Sequence, residues 1–399
     1  MTDFLLSVLR ERPRLAELAA GPFEFDLDRA EHGEEVVLAS GGPLEPIAGD
    51  GAGGTYFLCD GRAVLYASSE GQAGLLGDSV GEALEVLLGL PGWHDAVGYG
   101  GTGEALVAAG AVEADMRDSY VPELDAIRAE LLAGLGLPER SPSELLARLH
   151  AALLRTEPEF VLLTAEEGLA YELLDGLPRP SLRERVLASG ALADEELPAP
   201  EDEFGWIALA ARRGLTAEAR IRLIRLLGDT GPDAVRLGRI VAGLESVGDP
   251  AHAARAQRLV LSLQDTALTR GSAARTLARL ERLAGDAAAA RRTLDLAVAV
   301  LDAGPPAAEA SGQQELDLGL PEPPVDTSAE GWRRRGLGRG VAEEYLSLAL
   351  AEAEAGDAEQ GRTALKEART LLDGMTGPLG GLGELSRRAT WAVQRLRGA

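Results

Sequence analysis

Asp50, Glu70 and His94, in the first hundred residues, are the candidates for acid–base work. A carboxylate that orients an imidazole, with a reacting group within reach, is the arrangement general acid–base catalysis uses. The surrounding sequence does not complete it. Ser68 and Ser69, beside Glu70, lack the Gly-x-Ser-x-Gly elbow of a hydrolase. Cys59, the one cysteine, falls in an apolar strand-like run, where a small core residue is expected. Gly49-Asp50-Gly51-Ala52-Gly53-Gly54 invites comparison with a phosphate-binding loop, but it leads into a strand pattern, carries an acid and has no Lys after it. A turn is expected there. Gly336-Leu337-Gly338-Arg339-Gly340 precedes a helical pattern with no strand before it, so a flexible hinge is expected rather than a dinucleotide site. His32, His94, His150 and His252 have no second His or Cys at ligand spacing. Neither a metal nor a cofactor is expected.

The alternative to catalysis is recognition. Trp93-His94-Asp95 reads as a surface turn anchored by Trp93, and a Trp with an exposed edge is a frequent binding hot spot. With Asp50, Tyr56, Tyr66 and Glu70 these residues form the candidate partner-binding set.

The elements that must position them lie between Pro43 and Asp95. Thr55–Cys59 and Ala63–Ala67 are short β-branched and aromatic runs, with Ile47-Ala48 before them. Asp60-Gly61 between the two runs signals a type I′ hairpin, because both turn residues must tolerate positive φ. After Gly77, Val80, Ala83, Leu84, Leu87 and Leu88 recur at helical spacing behind an Asp78-Ser79 cap. Residues 2–20 read as an amphipathic helix interrupted near Pro13, and Val36–Leu38 as a strand.

The strings IAGDGAGGTYFL and VLYASSEGQAG, followed by an amphipathic helix ending in LPGWHD, resemble the sheet-and-helix core of the SUKH superfamily over about residues 20–100. That fold is shared by a fungal cell-wall-synthesis regulator and by bacterial toxin-immunity proteins. The resemblance implies a protein-binding role without catalysis.

From Thr102 to about Gly190 the pattern suggests helices punctuated by prolines, and the acidic loop Asp194–Glu203 is the expected boundary. Beyond it Gly214, Gly248-Asp249, Gly285-Asp286 and Gly356-Asp357 each sit between apolar-periodic stretches, at spacings near those of helical-hairpin repeats. Residues 342–373 resemble a tetratricopeptide unit, with Tyr345, Leu348 and Ala349 before the Gly356-Asp357 turn and Ala364, Leu365 and Ala368 after it. The Pro-rich segment from Gly304 to Gly331 is expected to be a loop, in which Leu316, Leu318 and Leu320 are a minor docking candidate. A last helix through Leu385, Ala389, Trp391, Ala392 and Leu396 would cap the array.

A hydrophobic content of 46% excludes a wholly disordered chain, and 4% aromatic residues favour Ala/Leu-packed helices over a β-sandwich. The N-terminus lacks the features of a secretory signal, no apolar run reaches the length of a membrane span, and a lone cysteine cannot form an internal disulfide. A cytoplasmic, soluble bacterial protein is expected. The net charge of −25 is uneven: residues 1–200 hold 36 acids and 13 bases (−23), and residues 201–399 hold 28 and 26 (−2). A surface of one sign steers oppositely charged partners and repels nucleic acid and anionic membranes. Arg212–Arg292 carries 15 bases against 8 acids but no aromatics, so single-strand stacking platforms are missing. Docking against the acidic half accounts for that stretch equally well.

The expected architecture is α+β: a small antiparallel sheet with helices, SUKH-like, followed by a mostly helical, tetratricopeptide-like solenoid. Its parts are a module at 1–100, a helical connector at 101–193, hairpin repeats at 204–302, a flexible loop at 304–331, and a hairpin with capping helix at 341–399. The expected function is immunity-like neutralisation of a basic protein, with no membrane and no nucleic-acid partner. The alternatives are a regulatory scaffold acting through the repeats, and a hydrolase or nucleotide enzyme using Asp50, Glu70 and His94.

Overall fold

The computed structural model describes residues 4–99, 103–190, 197–302, 329–373 and 382–395, with side chains left undescribed at 329–333, 382, 384, 385, 392 and 395. The chain is mixed α+β and mostly helical. It divides into two compact units, Met1–Gly228 and Asp229–Ala399.

The first unit opens with α1 (Phe4–Glu11) and α2 (Pro13–Ala20). Pro13 occupies the first turn of α2, where a missing N–H leaves no helical bond unmade. The strands β1 (Val36–Leu38), β2 (Leu44–Gly49), β3 (Thr55–Cys59), β4 (Ala63–Ala67) and β5 (Gln72–Gly77) follow. Next come α3 (Val80–Gly89), α4 (Trp93–Ala96), α5 (Gly103–Asp115), α6 (Leu124–Leu135), α7 (Pro142–Leu154) and α8 (Thr156–Glu159). Ser79 caps α3 by accepting the Glu82 amide at 3.1 Å. The unit closes with β6 (Leu162–Thr164), β7 (Glu172–Leu173), α9 (Leu182–Ala188), α10 (Glu203–Arg212) and α11 (Thr216–Asp229).

The main sheet has the order β2-β3-β4-β5-β7, antiparallel except for the β5–β7 pair. Asp60 and Gly61, at φ 52° and 68°, make the tight turn between β3 and β4 that a type I′ hairpin requires. Every residue of β3 and β4 is buried, so the sheet is covered on both faces. Tyr56, Leu58, Val64 and Tyr66 share a core with residues of α1 to α7. Phe57, Cys59, Leu65 and Leu75 pack with Leu38, Phe160, Leu162 and Tyr171 on the other side.

That packing corrects the expected boundaries. Residues 101–193 do not form a connector: Leu124, Leu131, Leu149 and Leu153 fill the same core as the sheet, β7 extends the sheet, and β6 pairs with β1. The α10–α11 hairpin, turning at Gly214 (φ +82°), also belongs to the first unit, so the division between units falls after residue 228 rather than before 204. Arg225 reaches Glu157 at 3.0 Å there.

The second unit consists, among the described residues, of α12 (Ala234–Ser246), α13 (Pro250–Ser262), α14 (Ala267–Leu283), α15 (Ala287–Asp302), α16 (Ala329–Glu354), α17 (Ala358–Asp373) and α18 (Leu382–Arg395). Gly248, Gly285 and Gly356 have φ of +76°, +88° and +90°, and each is followed by an Asp that caps the next helix. The Asp amides return to Leu244, Glu281 and Glu352 carbonyls at 2.9 Å, the left-handed helix ending that glycine makes cheap. The Gly336–Gly340 segment is not a hinge but the interior of α16. A Cβ at Gly340 would stand 1.9 Å from Arg275 and one at Gly271 2.8 Å from Leu337, so close helix approach outweighs low helical propensity. The expected loop at 304–331, with Leu316, Leu318 and Leu320, lies outside the described residues except for its last three, which are helical; so does Leu396. Among the described residues, no helix is long and apolar enough to cross a membrane.

Candidate functional site

The β2–β3 connection is the turn the glycines imply, and Asp50 organises it. Asp50 Oδ1 accepts the amides of Ala52 (2.8 Å) and Gly54 (2.7 Å), and its own amide donates to the Gly54 carbonyl at 3.0 Å. A carboxylate that closes its own loop in this way is a local substitute for a backbone turn. Its other oxygen, Oδ2, accepts the Tyr66 hydroxyl at 2.6 Å. Gly54 must be glycine, because a Cβ there would lie 2.2 Å from the Tyr66 hydroxyl.

Around this loop the aromatic residues form a chain. Phe25, Tyr56 and Tyr66 follow one another with ring centroids 5.2 and 5.1 Å apart, and Tyr66 meets Trp93 edge-on at 5.2 Å and His94 at 4.9 Å. The short helix α4 sets Trp93 and His94 ring on ring at 3.6 Å. Burial pushes the Tyr56 and Tyr66 hydroxyls well up, with Asp50 adding to both, so neither is a ready nucleophile. Burial lowers His94, against the pull of Asp50 and Asp95, which keeps the imidazole neutral.

One carboxylate that sequence spacing did not single out joins this group. Glu24, held at φ +53°, brings an oxygen within 4.8 Å of both an Asp50 oxygen and a His94 ring nitrogen, and each pair of the three is within that distance. Burial and the Asp50 charge raise the Glu24 carboxyl. No local signal marks Glu24, since its two neighbours come from the β2–β3 loop and from α4.

The candidate residues therefore separate. Asp50, Tyr56, Tyr66 and Trp93 are 3%, 0%, 3% and 2% exposed, which removes them as a docking face: Trp93 is a core residue, because α4 turns it inward onto Tyr66. Glu70 and Asp95 are exposed and His94 is half-buried. Glu70 is not part of the Glu24–Asp50–His94 group, so the expected Asp50–Glu70–His94 set is not assembled. Ser68 accepts the Glu70 and Gln72 amides and Ser69 donates to the Ala52 carbonyl, which makes both turn residues. Burial raises the Cys59 thiol to about 12, an inert core cysteine.

A second polar relay went unsuspected. His32 Nδ1 meets Thr55 Oγ1 and Nε2 meets the Tyr171 hydroxyl, both at 3.0 Å, while that hydroxyl donates to Glu34. It ties the segment before β1 to β3 and to the residue before β7, a structural clasp. A cavity of about 600 Å³ elsewhere in the first unit is lined by Arg179, Arg183, Trp206 and Arg225 among others, but Arg179 and Arg225 already pair with Asp175 and Glu157, each at 3.0 Å.

Against known proteins, the chain matches no family model, no curated protein and no solved structure.

Proposed function

We propose that this is a non-catalytic protein-binding protein whose acidic first unit associates with a basic partner, the immunity-like role that its SUKH-like segment implies, with a toxin as the partner. The observation that carries this reading is where the charge is left uncompensated. In the first unit Arg14, Arg117, Arg128, Arg140, Arg148, Arg155 and Arg179 are each engaged with carboxylates of their own chain. Glu31, Glu35, Glu45, Asp60, Glu70 and Asp95 are exposed with no arginine in ion-pair range among the described residues. A surface with such a surplus of acids raises the encounter rate with a basic protein by roughly 10- to 1,000-fold at low salt.

In the second unit, four arginines are paired with acids of other helices of that unit. Arg258–Glu281, Arg279–Glu245, Arg282–Glu344 and Arg291–Glu352 join neighbouring helices at 2.6–3.2 Å. Engagement of these arginines favours protein over nucleic acid as the partner class, and stacked hairpins offer an extended face for a second protein contact.

The test is co-purification from the native host with tagged full-length chain at low and high salt, alongside Glu70→Lys/Asp95→Lys. The expected result is a basic protein whose retention falls as salt rises and falls again in the double variant. Retention indifferent to both, or turnover of a small molecule by the purified chain alone, would overturn the reading.

A further inference from the structure

We propose that Glu24, Asp50 and His94 form a binding site for one divalent transition-metal ion of the zinc class. The inference is independent of the protein-binding function above. It begins with geometry: a carboxylate oxygen from the turn after α2, one from the β2–β3 loop and an imidazole nitrogen from α4 all lie within 4.8 Å of one another. Ligand atoms at about 2.0–2.2 Å from a zinc ion stand roughly 3.5 Å apart, so a contraction of at most about 1.3 Å completes the set. The long, exposed Glu24 side chain can supply that movement.

Two of the three donors are not otherwise used. Neither the Glu24 carboxylate nor the His94 ring has a hydrogen-bond or ion-pair partner among the described residues. Asp50 is oriented by two amides and by Tyr66, as ligating carboxylates commonly are, and its oxygens keep further lone pairs.

Two further features point to a cation. The Tyr56 hydroxyl is fully buried without a hydrogen-bond partner, and its ring lies 5.1 Å from that of Tyr66, whose hydroxyl donates to Asp50. A buried hydroxyl left unpaired one ring away from the cluster is a polar group still without its partner. The two carboxylates, moreover, face each other without a cationic side chain between them. Arg29, the guanidinium that touches this loop, donates to the Asp50 carbonyl at 3.2 Å and pairs with Asp26 at 3.3 Å instead. One imidazole with two carboxylates suits zinc or manganese, whereas calcium takes oxygen ligands alone. Three protein ligands with Glu24 at the surface leave coordination positions for water.

The experiment is calorimetric titration of the tag-free, chelator-stripped full chain with Zn²⁺, Mn²⁺ and Ca²⁺, repeated on Glu24→Gln and His94→Gln, with thermal unfolding followed in parallel. The expected result is one equivalent of Zn²⁺, weakened at least about tenfold by either substitution, and no saturable uptake of Ca²⁺. At equal zinc, the unfolding temperature should rise more in the wild type than in Glu24→Gln. Glu24→Gln is isosteric and breaks no hydrogen bond, so it decides the matter even should His94→Gln misfold. No saturable zinc binding, or equal binding by Glu24→Gln, would overturn the site.

Discussion

The two units solve the same packing problem in opposite ways. In the first, partners are distant in sequence: His32 reaches Tyr171, β1 pairs with β6, and Gln72 and Ala73 of β5 pair with Glu172 and Leu173. In the second, one local device recurs, a left-handed glycine followed by an aspartate cap, at 248, 285 and 356. The difference extends to charge. The second unit answers its arginines helix by helix, whereas the first keeps exposed acids unanswered and holds Glu24 and Asp50 together near a neutral His94. Uncompensated groups belong to surfaces and sites that await something else, while compensated ones belong to the scaffold.

This contrast can be broken most directly in the sheet. Leu65→Ala, at a fully buried position at the centre of β4, is expected to cost about 2–5 kcal/mol. In urea denaturation the loss should appear as one transition covering helices and strands of the first unit together. Separate transitions for residues 1–100 and 101–228 would restore the connector that the packing removes.

A smaller effect is expected from Glu281→Ala. Glu281 accepts from Arg258 and from Thr293, each at 2.8 Å, and so links α13, α14 and α15. Arg258 is half exposed, which discounts the ion pair. The buried remainder amounts to about 1–2 kcal/mol, measured by chemical denaturation of the second unit.

Smaller again, Gly285→Ala should cost about 1 kcal/mol, because a Cβ there meets nothing and only the positive φ is penalised. The same change at Gly248 and Gly356 should cost a similar amount, and the three should add in the triple variant. Strong non-additivity would mean that the hairpins are coupled as tightly as the first unit.

The smallest effect is one of pH. Burial lowers the His32 pKa below its ordinary 6.5, with Glu34 opposing. The folded state therefore resists a proton that the unfolded chain accepts. Stability from this group is full above pH 6.5 and falls as pH drops through the window between 6.5 and the lowered value. His32→Gln should flatten that slope in unfolding curves recorded over pH 5–8, roughly the span in which a histidine titrates.

Legibility followed the same divide. The Asp60-Gly61 turn, the runs that became β3 and β4, and the Gly-Asp helix junctions were all readable, because each depends on φ preferences and spacing within a few residues. β5, β6 and β7 were not. Gln72–Gly77 is glycine-rich, and Leu162–Thr164 and Glu172–Leu173 are too short to carry a period, so their partners make them strands. The sequence around Trp93 reads as a surface turn, and α4 buries the side chain instead. The glycines of α16 read as a hinge because propensity is local, while the side chain that Gly340 admits, Arg275, comes from α14.

By itself, then, the sequence determined the turns, the helical character of the later chain with its Gly-Asp junctions, and the imbalance of charge, all of which are properties of neighbouring residues or of composition. Only the tertiary structure decided which acids face each other, which tryptophan is core, and that Glu24, Asp50 and His94 share one place. Such meetings depend on loops being closed by the packing of a whole unit, and no short stretch of chain contains that information.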